Sequence, residues 1–102
     1  MRIAFRPEAQ EELLEAQAWY EARAEGLGID FARAFEVALL SAQRHPDGFH
    51  VVEADIRRVL LRRFPYALFY RVRDEEFLVV AVFHHRRDPA FVVRRLKARP
   101  DP

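Results

Sequence analysis

The chain has 102 residues, 51% of them hydrophobic and 32% charged, with no cysteine and a formal net charge of +1. That is enough for one small core, and without cysteine there is no disulfide, thiolate metal site or cysteine nucleophile. The longest uninterrupted apolar run, Phe77 to Phe83, falls far short of the roughly 20 residues of a membrane-spanning helix.

In chain order, Arg2 to Arg6 reads as a short strand with Ile3 and Phe5 on one face. Pro7 stops it and suits the first turn of a helix. Acids at Glu8, Glu11, Glu12 and Glu15 follow where the helix dipole favours them. Ala9, Leu13, Ala16 and Tyr20 form the buried stripe of that helix, with Trp19 beside it. Gly26 and Gly28 are expected to end it. A second helix is expected from about Ile29 to His45, with Phe31, Ala34 or Phe35, Ala38, Leu39 and Ala42 on its apolar face. Pro46, Asp47 and Gly48 stop it. The two helices should form an antiparallel hairpin.

A short linker leads to three strands in a meander: Ile56 to Arg63, Tyr66 to Arg73, and Glu76 to His85. Turns fall at Phe64-Pro65 and Asp74-Glu75. The last strand is apolar on both faces, which marks a central strand covered on both sides. A short helix is expected from Pro89 to Lys97. The expected fold class is α+β: β-α-α-β-β-β, a helical hairpin on a mostly antiparallel four-stranded sheet, with a short C-terminal helix. The hairpin covers one face. The C-terminal tail, a second copy of the chain in a homodimer, or a different protein must cover the other.

Missing residue types narrow the chemistry. There is no Thr, no Asn and one serine, Ser41, in a helical stretch without a nucleophile-elbow setting. Three glycines form no phosphate loop, so no cofactor is expected. His45, His50, His84 and His85 have no recognised ligand spacing, so no metal is expected either. Charge is split along the chain: residues 1–54 carry 5 Arg against 10 acids, and residues 55–102 carry 12 Lys plus Arg against 6 acids. So basic a half is an electrostatic footprint for a polyanion or an acidic partner. The arginines come as doublets, Arg57-Arg58, Arg62-Arg63, Arg86-Arg87 and Arg94-Arg95. Within a strand, each doublet places only one guanidinium on a given surface.

The segments "FRPEAQEELLEAQAWYEARAEGLGIDFARAFEVAL", "IRRVLLRRFPYALFYRV" and "VVAVFHHRRDP" together resemble the RelE/ParE superfamily of type II toxin–antitoxin toxins, also described as plasmid stabilization proteins. The resemblance spans roughly Arg2 to Lys97 and implies one toxin domain over residues 1–102. It also implies a cytoplasmic growth inhibitor neutralised by a cognate antitoxin. ParE-like members inhibit DNA gyrase without catalysis. RelE-like members cleave mRNA on the ribosome without a metal. A third reading is a non-toxic binding module that kept the fold.

RNA cleavage needs a base, an acid and cations around the phosphorane. The candidates are Arg58, Arg62, His84, His85 and Arg87. Arg57, Arg63, Arg71, Arg73, Arg86 and Asp88 are candidates for target or antitoxin binding. His84 and His85 read either as an acid–base pair or as strand-end polar residues. Tyr66 and Tyr70 share the core-side parity of their strand. After Asp88-Pro89 the only aromatic is Phe91, which transfers no proton. That departure, and two long helices, favour the gyrase reading, in which no residue is catalytic. Asp88 reads either as a turn-stabilising partner of the arginines or as part of a binding surface, with Pro89 opening the tail helix.

Overall fold

The computed structural model describes residues 1–99. Its elements are β1 (Arg2–Phe5), α1 (Pro7–Arg23), α2 (Leu27–Arg44), β2 (His50–Glu53), β3 (Ile56–Leu60), β4 (Tyr66–Arg73), β5 (Glu76–His84) and α3 (Pro89–Lys97). One sheet has the order β1-β5-β4-β3-β2, with β1 parallel to β5 and the other pairs antiparallel. The architecture is the expected α+β one, but the sheet has five strands, not four. The added strand, β2, lies in what reads as a linker. It has only four residues, sits at the sheet edge, and its pairing with β3 is broken by an irregularity between Val51 and Glu53. So short and irregular a strand leaves no alternating pattern to read.

The expected helix faces are the observed ones. Ala9 and Ala16 of α1, and Phe31, Phe35, Ala38 and Ala42 of α2, are buried in one cluster with Leu68, Tyr70, Phe77 and Val79. Leu13 and Tyr20 pack against it. The glycines act differently from expectation. Helix α1 ends at Arg23, and Gly26 makes the inter-helix turn at φ 87°, a left-handed conformation open to glycine. Gly28 sits inside the first turn of α2, where an added Cβ would lie 2.9 Å from the Gln17 carbonyl oxygen. It is a helix-contact point, not a terminator. The Glu21 carboxylate accepts from the Gly26 and Gly28 amides at 2.9–3.2 Å and so caps α2 from the neighbouring helix.

Strand β5 is covered on both faces. A register shift between Phe69 and Tyr70 opposes Phe69 to Ala81 and Tyr70 to Val79, so Val80 is the extra residue. Phe77, Val79 and Val82 face the hairpin. Leu78, Val80, Ala81 and Phe83 face the other side, with Ile56 and Phe69. There Val92 and Leu96 of α3 close the second cluster. The chain's own tail covers that face. Among the described residues, no helix is long and apolar enough to cross a membrane.

Candidate functional site

The parallel pairing of β1 with β5 ends at Phe5 and Val79. Beyond it, the outer edge of β5 has lost its neighbouring strand. Two side chains take its place. The Glu12 carboxylate accepts from the Val82 amide at 3.0 Å, and the Arg99 guanidinium donates to the Val80 carbonyl at 3.0 Å. The same two groups join each other at 2.6 and 3.0 Å, with the Arg99 side chain only 8% exposed. This bridge ties α1 to the chain beyond α3. It satisfies edge groups that burial would otherwise penalise.

Further along the edge, α1, the end of β5 and α3 enclose a groove of about 600 Å³. Tyr66, His84 and Arg87 line it, with Glu15 and Trp19 on the α1 wall and Phe91 and Arg95 on the α3 wall. Tyr66 is held by an aromatic cluster. Its ring centroid lies 5.2 Å from Phe31 and 5.3 Å from His84. Burial raises the Tyr66 hydroxyl above its usual range, with Arg87 opposing the shift and Glu15 adding to it. The hydroxyl therefore feels an anion on one side and a cation on the other.

His84 is half-buried, and its Nδ1 accepts from the Arg86 amide at 3.1 Å. Burial first, then His85, Arg86 and Arg87, push its pKa below the ordinary 6.5. The neutral ring thus presents Nε2–H. His85 is exposed and does not line this groove. On the α3 wall the Arg87 and Arg95 guanidiniums lie 4.8 and 4.9 Å from the Phe91 centroid, within cation–π range. Asp88 caps α3 by accepting from the Ala90 amide at 3.1 Å, and Pro89 opens the helix. Among the described residues Asp88 pairs with no arginine.

A second groove, of about 500 Å³, runs between α2 and the end of β3. Val37 and Leu60, both more than half exposed, line it with Phe49, Arg33, Arg62 and Arg63. Arg63 reaches Asp30 at 3.8 Å. Arg33 and Arg62 have no hydrogen-bond or ion-pair partner among the described residues.

The sequence-derived candidates are thus dispersed. His84 and Arg87 share the first groove, and Arg62 and Arg63 line the second. Arg58 lies on β3 opposite Phe69 and lines neither groove. Arg57 donates to the carbonyls of Asp47 and Phe49 at 3.2 and 2.7 Å, pinning the loop after α2. The buried Tyr70 hydroxyl joins it by donating to the Pro46 carbonyl at 2.6 Å. Arg73 grips Asp55 through two bonds of 2.9 and 3.3 Å. Arg71 is half-buried, and Arg86 is exposed in the turn before α3. Glu15 and Tyr66 escaped sequence reading as site residues: the first is one helix acid among several, the second has core parity. Among the described residues no group of three or more His, Asp or Glu gathers as a metal site.

Comparison with known proteins agrees with this fold. A solved structure of the chromosomal ParDE TA system from P. aeruginosa superposes with a TM-score of 0.69. It is 16% identical and covers 82% of this chain and 95% of the other. No curated protein matches the sequence. The family model of the ParE toxin of the type II toxin–antitoxin system parDE matches residues 3–89, so the chain belongs to the ParE toxin family.

Proposed function

We propose that this chain is a cytoplasmic, single-domain toxin over residues 1–102 that arrests growth by acting on DNA gyrase without catalysis, and that a cognate antitoxin neutralises it. The observation that carries the reading is the ParE family match over residues 3–89. The dispersal of Arg58, Arg62 and His85 away from the groove of His84 and Arg87 supports it. The groove between α2 and β3 suits the antitoxin. Its exposed Val37 and Leu60, rimmed by Arg33 and Arg62, match a segment with one apolar face and acidic flanks. The test is gyrase supercoiling with the purified chain: loss of supercoiling upholds the proposal, and full activity at a large molar excess overturns it.

One observation favours a second reading, a metal-independent endoribonuclease. Glu15, Tyr66, His84 and Arg87 converge on one groove, and these groups can exchange protons and hold a phosphate. Site-specific cuts in ribosome-bound mRNA that vanish in His84→Ala and Arg87→Ala would establish it.

A further inference from the structure

The groove between α1 and α3 has two unlike walls, and their chemistry defines a ligand. On one wall Glu15 has no hydrogen-bond or ion-pair partner among the described residues. One turn on lies Trp19, a residue 50% exposed, with the Arg23 guanidinium 4.0 Å from its ring centroid. On the other wall Arg87 and Arg95 flank Phe91 and have no carboxylate partner among the described residues. A ligand that satisfies both walls needs a flat ring, a donor edge for a lone carboxylate, and an anionic end for two guanidiniums.

We infer that the groove between α1 and α3 binds a guanine nucleotide, with the base at Trp19 and Glu15 and the phosphate at Arg87 and Arg95. Guanine offers adjacent N1–H and N2–H donors, which a carboxylate accepts as a pair. Adenine presents an acceptor at N1 and is repelled by the same carboxylate. With Arg23 over one face, the indole offers its other face for stacking with any base, so selectivity rests on Glu15. The guanidiniums are placed before binding by Phe91, which lowers the cost of ordering them. A volume of about 600 Å³ lies within the range of nucleotide-sized pockets, roughly 300 to 1,000 Å³. The inference is independent of gyrase as target. The same chemistry serves a free nucleotide or a guanine within a single strand.

Trp19 is the only tryptophan, so its emission reports on this groove alone. The experiment titrates the whole chain with GMP, with AMP as the matched control for absorbance. GMP is expected to quench the emission and to bind about tenfold more tightly than AMP, the scale of one hydrogen-bonded pair to a charge. Glu15→Gln should bring the two nucleotides to within about twofold of each other, and Arg95→Ala should weaken both, because it acts on the phosphate they share. A trinucleotide with a central guanine separates the sources: tighter binding than GMP identifies a strand, and equal binding a free nucleotide. Either result upholds the site. No quenching by GMP, or a preference for GMP that survives Glu15→Gln, overturns it.

Discussion

Replacing Glu12 by glutamine tests the account of the β5 edge. The amide oxygen can still accept from the Val82 amide, so the edge contact is kept. What disappears is the negative charge facing Arg99, whose side chain is 8% exposed. Removing one partner of a buried ion pair costs about 3–5 kcal/mol, because the other charge is left uncompensated. Glu12 is itself 21% exposed, so the low end applies, about 3 kcal/mol. For a domain of this size each kcal/mol lowers the melting temperature by about 4–8 °C, so the variant should melt at least about 12 °C below the parent. Adding Arg99→Met removes the stranded charge, and the double variant should regain much of the loss. Calorimetry on the three proteins checks this. A Glu12→Gln variant within about 2 °C of the parent would refute the reasoning, as would a double variant less stable than the single one.

Three further outcomes follow from local geometry. Gly28→Ala forces a methyl against the Gln17 carbonyl at 2.9 Å, and should cost about 1–3 kcal/mol in a denaturant titration. Asp88→Ala removes the cap on the Ala90 amide; at about 1 kcal/mol for a lost cap, exchange of the amides of Val92 and Leu96 should quicken about fivefold if α3 frays locally. His84 titrates below its ordinary 6.5, so just below that pH the unfolded chain binds more protons than the folded one. Stability therefore falls as pH drops through that window, and His84→Gln should flatten this part of the acid limb in pH-dependent melting.

The elements with strong local signals were legible in the sequence. Apolar residues on both faces from Phe77 to Phe83 mark β5 as the covered central strand, and alanine and aromatic stripes mark the buried face of each hairpin helix. Strand β2 was not legible, because four residues with an irregular register carry no usable period. Nor was the bridge of Glu12 to Arg99: its partners lie 87 positions apart, and each looks like an ordinary surface charge. The groove shows the same limit. His84 and Arg87 stand out as residue types near the end of a strand. Glu15 becomes a site residue only because α1 lies along the unpaired edge of β5, and Tyr66 only because its strand begins at the rim of the core.

The most direct test of the central claim is pulse-labelling of protein and DNA synthesis after tightly controlled induction of this chain alone. A gyrase-directed toxin predicts that growth stops and DNA synthesis falls first, while translation continues. An early collapse of protein synthesis with DNA synthesis intact would contradict that reading and favour the endoribonuclease. Continued growth with both rates unchanged would leave a binding module that keeps the fold without the toxicity.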